Sequence, residues 1–375
     1  MNRKHFRTLA AALFVVGGSA LAPSRGAGYQ VTPLVSNDVT IAAPLHDANL
    51  INPWGLAYSA TGPFWFSDNG TGLSTLYSSS PSPSIPALVV TIPPAVVPGV
   101  GNPTGIVFNL QSNDFAGGLF IFASEDGTIS SWSGGTSAIQ KVNNHANLAV
   151  YKGLGYENTG STSNHLYAAN FHTGAVDVFN ASFAAVSLPG SFTDPTLPAG
   201  YAPFNIQNIG GKLYVAYAKQ GVSGSTLTGD HQPGAGLGMV DVFNPNGTFS
   251  KRLITGGVLN APWGLALAPS SFGSFANDLL VGNFGDGRIN AFDPATGAFL
   301  GTLSDATSTP ISIDGLWGLE FGNGGSGGNT NTLYFTAGPN AETKGLFGSL
   351  TVVPEPATLG LLGLGVLGLA ARRRR

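Results

Sequence analysis

The chain has no cysteine, only two methionines and few charges, with Asp, Glu, Lys and Arg making up 9% of its residues. The first absence excludes disulfides, thiolate metal sites and a cysteine nucleophile, so the stability of the folded body must come from its core. The shortage of basic residues excludes more than the net charge of −3 suggests. Eight of the sixteen basic residues stand near the two ends, at Arg3, Lys4, Arg7, Arg25, Arg372, Arg373, Arg374 and Arg375. The rest of the chain keeps eight, set against nearly all of the nineteen acidic residues. No basic surface is left to offset phosphate charge, which excludes nucleic acid as a partner. Between the two ends no segment shows a sustained helical period with caps. There is no phosphate loop and no dinucleotide fingerprint. The glycine-rich stretch 322–331 lacks the lysine and the strand-then-helix context, and is expected to be a flexible loop.

What is abundant is glycine, 54 residues, and proline, 25, in a chain that is 43% hydrophobic. That apolar content is too high for a disordered chain, and the turn-formers point to a β-protein. A short motif recurs with a period of about fifty residues. It reads Pro53-Trp54-Gly55-Leu56, Pro103-Thr104-Gly105-Ile106, Tyr151-Lys152-Gly153-Leu154, Pro203-Phe204-Asn205-Ile206, Pro262-Trp263-Gly264-Leu265 and Leu316-Trp317-Gly318-Leu319. A second apolar run follows each motif, at 64–67, 119–123, 165–169, 212–217, 278–281 and 332–336. Alternating third runs follow at 73–77, 128–132, 175–179, 239–243 and 288–292, and fourth runs at 87–92, 251–255 and 298–303. Short alternating runs divided by Gly, Asn, Asp and Pro turns are strands. Six units of about four strands predict an all-β fold, a six-bladed β-propeller spanning 28–352. The motif glycine fits the crowded innermost strands, where backbones approach closely. Trp54, Trp263 and Trp317 are then expected to wedge between neighbouring blades. Residues 31–35 are expected to pair into the last blade and close the ring, so that no sheet edge stays open.

Both ends carry targeting signals. Arg3, Lys4 and Arg7 followed by the apolar run 9–22 read as a signal peptide within 1–27. At the other end, within 353–375, Pro354-Glu355-Pro356 precedes an apolar run, 357–371, and Arg372, Arg373, Arg374 and Arg375. The two prolines keep Glu355 out of a helix and accessible. A helix over 357–371 would span about 22 Å, short of a ~30 Å hydrocarbon core, and the arginines would hold its end on the cytoplasmic side. This tail resembles the PEP-CTERM sorting signal of Gram-negative bacteria. The resemblance implies an exosortase-type processing enzyme as partner and transient anchoring in the inner membrane. It also implies export across that membrane to the cell envelope or beyond. The repeats resemble NHL and lactonase-like six-bladed propellers, and the whole chain resembles a family of propellers bearing this tail, to which no activity is attached.

The chemistry is expected at the axial mouth, where the second strands end. Asn69, Glu125, Asn170 and Asn283 fall there and supply oxygen ligands of the kind that Ca²⁺ takes. Lactonase-like propellers build a divalent metal site from such residues, so the resemblance implies one here. The competing reading is plain turn chemistry, since Asn69-Gly70, Asp126-Gly127 and Asp286-Gly287 suit hairpin turns. No catalytic residue is assigned and no cofactor is required, with Ca²⁺ the one ion the residue types admit. His172 is the best-placed general-base candidate. His231 lies in an insertion, 221–238, that resembles a loop covering the mouth. The leading expectation is an exported binding or structural module of the envelope or matrix, with an exopolysaccharide or another envelope protein as partner. The rival is a metal-dependent hydrolase of the lactonase type.

Overall fold

The computed structural model describes residues 28–80, 82–157 and 164–353. The expected signal peptide, Pro354, Glu355, Pro356, the run 357–371 and Arg372 to Arg375 lie outside the described residues. Among the described residues the chain is all-β, with three single turns of 3-10 helix, and no helix is long and apolar enough to cross a membrane.

Six sheets form six blades, each starting on one of the six motifs. The innermost strands are Pro53–Tyr58, Pro103–Phe108, Tyr151–Tyr156, Tyr201–Ile209, Pro262–Leu267 and Leu316–Phe321. Each packs on the next around the axis, and the sixth returns to the first. Every inner strand pairs antiparallel with the strand that follows it, as Pro53 does with Asp68 and Pro262 with Asn283. The motif glycines do what crowding requires. A Cβ on Gly105 would lie 2.2 Å from the Leu154 nitrogen, and one on Gly55 would lie 2.6 Å from the Thr104 oxygen. A side chain at either position would push adjacent blades apart.

Blade six is closed by the other end of the chain. Gly28–Ser36 lies antiparallel to Leu346–Val353, with Gly28 opposite Val353, and Leu45–His46 adds a short outer strand. The ring has the expected closure, with Val35 fully buried at the seam.

Several expected strands differ in detail. The third run of blade one breaks into Leu73–Ser74 and Leu76–Tyr77, and its fourth strand shrinks to Val90–Thr91. Blade two gains an outer strand, Ile139–Asn143, whose exposed–intermediate alternation marks a solvent-facing edge. Blade three has three strands where every other blade has four or more. The loop around 322–331 is well tied rather than loose. Asn323 Nδ2 donates to the Ser59 and Gly62 carbonyls at 2.9 Å each, and Ser79 N donates to the Ser326 carbonyl at 2.9 Å, linking blade six to blade one.

The tryptophans are the main correction. Trp54, Trp263 and Trp317 do not wedge between blades. They meet across the axis, Trp54 stacked on Trp317 at 3.6 Å and Trp263 edge-on to both at 6.1 and 5.9 Å. The reason is position. The second residue of the motif stands where the inner strands enter the ring, and five of the six, Trp54, Lys152, Phe204, Trp263 and Trp317, converge there. The wedge between blades one and two is Trp65, stacked 4.1 Å from Phe120.

Candidate functional site

The near mouth of the channel is where inner strands begin and second strands end. Its floor is the aromatic cluster of Trp54, Trp263, Trp317, Phe171 and Phe204, with Phe284 packed against it. Into this cluster blade three sends a charge. Lys152 takes the motif position that holds tryptophan, phenylalanine or threonine in four other blades and tryptophan again in the sixth. Its side chain is 3% exposed, its ammonium lies 5.0 Å over the Trp54 ring, and it is ion-paired to Glu125 and, at 3.5 Å, to Asp230. Burial pulls the Lys152 ammonium down, but Glu125 and Asp230 outweigh that and the net shift is upward. Its ion pairs therefore favour the charged form of Lys152.

The carboxylates around it are already engaged. Glu125 also accepts from Asn69 Nδ2 at 2.8 Å. Asn52 Nδ2 donates to Glu342 at 2.8 Å, while Trp317 Nε1 donates to Asn52 Oδ1 at 2.9 Å. Burial, partly offset by Asn52 and then reinforced by Asp230 and Glu125, raises the Glu342 carboxyl above its ordinary range. Asp230 is held low. Burial works against this, but the hydrogen bond from His231 and the nearby Lys152 prevail.

Of the four candidate metal ligands, the structure brings two together. Asn69 and Glu125 share the hydrogen bond just described. Asn170 is committed to its own hairpin, where Oδ1 accepts from Val150 N and Thr173 N and Nδ2 donates to Asp177 at 3.0 Å. Asn283 Nδ2 donates to the Val258 carbonyl at 2.8 Å and to Asp286 at 3.1 Å. Both do turn chemistry. Among the described residues no three His, Asp or Glu side chains converge as a metal centre would need. His172 stands on the same rim and offers its backbone carbonyl to Gln220.

The insertion does reach the mouth. The second strand of blade four, Lys212–Ser223, overruns its inner neighbour, turns, and returns as Thr226–His231, with Gln220 opposite His231. This hairpin delivers Asp230 and His231 over the axis. Lys152, Asp230 and Glu342 were not singled out from sequence. A lysine at a repeat position that is aromatic in four of the other five blades was the available signal for the first.

The far mouth differs. A cavity of about 170 Å³ is walled by Leu56, Ile106, Leu154 and Phe108, with Gln207, Asn208 and Glu320 as its polar groups. Burial pushes the Glu320 carboxyl up to about 7, against hydrogen bonds from Tyr58 and the backbone that lower it. The Tyr58 hydroxyl stands 3.3 Å from Glu320 Oε1 and donates to the Phe321 carbonyl at 2.8 Å.

A third feature lies at the incomplete blade. Where a fourth strand would run, the chain pairs only briefly with the outer strand Ala175–Asn180, through Asn180 N to the Ala184 carbonyl and Val186 N to the Val178 carbonyl, both at 2.9 Å. It then diverges and leaves a groove of about 510 Å³. Asn144, Asn147, Thr173, Asp177, Ser187 and Ser191 line it against Val176, Val178 and Leu188, and Asp177 is the one charged residue in the lining.

Comparison with other proteins adds an address and relatives. Residues 352–375 match the PEP-CTERM protein-sorting motif. That motif implies processing by an exosortase and marks export and sorting at the Gram-negative cell envelope. The chain is 33% identical over 346 residues to the uncharacterized protein R648 of Acanthamoeba polyphaga mimivirus, covering 86% of this chain and 80% of that one. It is 34% identical over 342 residues to the uncharacterized protein L690 of the same virus, covering 86% of each. Among solved structures, a glucose dehydrogenase superposes with a TM-score of 0.53 at 13% identity, covering 87% of this chain and 99% of that one. The soluble aldose sugar dehydrogenase of Escherichia coli gives 0.52 at 12% identity, covering 87% and 100%. At that identity the likeness shows the fold alone.

Proposed function

The chain belongs to the family that includes the mimivirus proteins R648 and L690, and from that footing we propose that it is an exported, non-enzymatic binding module of the envelope or extracellular matrix. The ligand is a neutral glycan, taken in the groove beside blade three.

The groove's lining carries this reading. Amides and hydroxyls stand in it beside apolar side chains such as Val176, Leu188 and Phe192, with a single carboxylate and no cation. Such a surface offers hydrogen bonds in both directions to sugar hydroxyls and has nothing to attract a phosphate or sulfate. Its volume is in the range of small-ligand pockets. The near mouth supports binding over turnover in a second way. Its lysine is locked as a cation and its carboxylates are partnered, so no group there is poised as a free general base. The tail supplies the setting, since the last described strand ends at Val353, next to Pro354 of the sorting motif.

Calorimetric titration with neutral oligosaccharides released from the native host's exopolysaccharide tests the reading. A saturable heat is expected, and it should vanish in the Asn147→Trp/Ser187→Trp double variant, in which two exposed rim residues fill the groove. No heat with the wild-type protein, or the same heat with the filled groove, would remove the glycan assignment. Intact mass of the protein recovered from the host should end close to Pro354–Pro356. A chain continuing to Arg375 would mean that the tail is not processed.

A further inference from the structure

His231 occupies a place that the fold does not require it to fill. Its ring lies 4.6 Å from Phe284, 4.8 Å from Phe204 and 6.3 Å from Trp317, which come from three different blades. Its side chain is 5% exposed and its Nδ1 is 2.9 Å from Asp230 Oδ1. Four features surround this box. The Trp54–Trp317 stack lies beneath it, with Trp263 edge-on. One ammonium, that of Lys152, already rests over the Trp54 ring. Three carboxylates, Glu125, Asp230 and Glu342, stand against that single fixed cation. The Trp54 indole N–H is buried with no hydrogen-bond partner among the described residues.

The part that brings His231 in is a hairpin built largely on itself. Beyond Lys219, its two strands pair with each other at 220–231, 222–227 and 223–226, and its tip projects from the ring, with Val222 60% exposed. Gln220 Nε2 ties its base to the Phe171 carbonyl, and the Asp230–Lys152 pair at 3.5 Å ties its end. The second tie is half exposed to water, since Asp230 is 63% exposed, and such a pair is weak.

We propose that the axial aromatic box is a binding site for a small organic cation, held shut by the chain's own His231, whose imidazole stands where the ligand's cationic group sits once the hairpin lifts. Aromatic faces attract ammonium and guanidinium groups through the ring quadrupole, most strongly where water is excluded. The surplus of carboxylate at the rim draws a cation inward, and Lys152 shows that this cluster accepts one. An anion would meet three carboxylates, and a neutral ligand would gain nothing from them. The site is distinct from the groove of blade three and takes a ligand of opposite character, so either assignment can fail without the other.

The test uses tetramethylammonium as the probe and tryptophan fluorescence of the whole folded body as the readout, with 3,3-dimethyl-1-butanol as the uncharged control. In the wild-type protein His231 competes, and weak saturable quenching is expected. In His231→Gly the box is vacated, and the dissociation constant for tetramethylammonium should fall at least tenfold, with no saturable response to the alcohol. His231→Lys should place a tethered ammonium in the box and abolish the response altogether. Equal responses to cation and alcohol, no saturable response in either wild type or His231→Gly, or a response that survives His231→Lys would each overturn the proposal. If the glycine variant does not fold, His231→Ser carries the same criteria.

Discussion

The two mouths of the axial channel are made by the same six strands, yet they handle charge in opposite ways. At the near mouth Lys152 enters a cluster of tryptophans and is neutralised by Glu125 and Asp230, while amides from Asn52 and Asn69 donate to Glu342 and Glu125. At the far mouth Glu320 enters a ring of aliphatic side chains with only Tyr58 and a backbone N–H as partners, and its carboxyl rises to about 7. One ionisable group was absorbed by building a network, the other by tolerating the proton. The network costs more sequence, drawing on blades one, two, three, four and six, and it is the more fragile of the two, because Lys152 is buried on the assumption that its partners are present.

The comparison is broken most forcefully at the aromatic floor. Trp317 is fully buried, stacks on Trp54 and donates to Asn52. Trp317→Ala removes a large side chain from a rigid ring and leaves the Asn52 amide without its donor. A loss of about 4 kcal/mol is expected in chemical denaturation. A loss under 1 kcal/mol would mean that the near mouth collapses around the cavity and that its floor is not a fixed platform.

Next in size is Lys152→Met. The thioether fills similar space, but Glu125 and Asp230 are left facing each other without their cation. Removing one partner of a buried pair costs about 3 kcal/mol. Because Glu125 is only partly covered, with 27% exposure, some of this is recovered by water, and the Lys152→Met/Glu125→Gln double variant should regain most of the rest. Additive losses in the double-mutant cycle would show that the two residues are stabilised independently and that no network exists.

These contrasts also explain what could be read from the sequence. The blade count was legible because a motif with glycine, or Asn205 in blade four, beside an aliphatic residue recurs about every fifty residues, where crowding at the axis favours glycine. Asn170 and Asn283 each have one near partner, Asp177 and Asp286, of the kind hairpin chemistry suggests, and one distant partner, Val150 and Val258, that it does not. The near mouth was not legible. Trp54 and Trp317 are far apart in the chain and belong to strands that are neighbours only through closure, and Asp230 reaches Lys152 only because one strand is four residues longer than its inner neighbour needs. Pattern reports which face a residue takes, but not which residues from six blades meet at a point. The groove on blade three was illegible for a different reason. It exists because a fourth strand is missing, and a missing strand leaves no motif.

The smallest effect, and the one that sharpens the comparison most, is at Glu320. Its carboxyl has an ordinary value of 4.5 and is pushed up to about 7 in the folded ring. Between those values the native state keeps a proton that the unfolded chain has released, so stability falls as pH rises through this window and is lowest above it. Glu320→Gln removes the titration while keeping shape and an acceptor for Tyr58. Its advantage over the wild type should be near zero at pH 4.5 and fully developed at pH 8. The full shift would correspond to about 3 kcal/mol, but the far mouth is open to water on one side, and screening there reduces the expected gain to about 1 kcal/mol, or roughly 2 °C in melting temperature. Melting curves at the two pH values decide the matter. An advantage that is the same at both would mean that Glu320 keeps an ordinary carboxylate in the folded ring. The far mouth would then be wet and electrostatically settled, and the difference between the two ends would lie in packing alone.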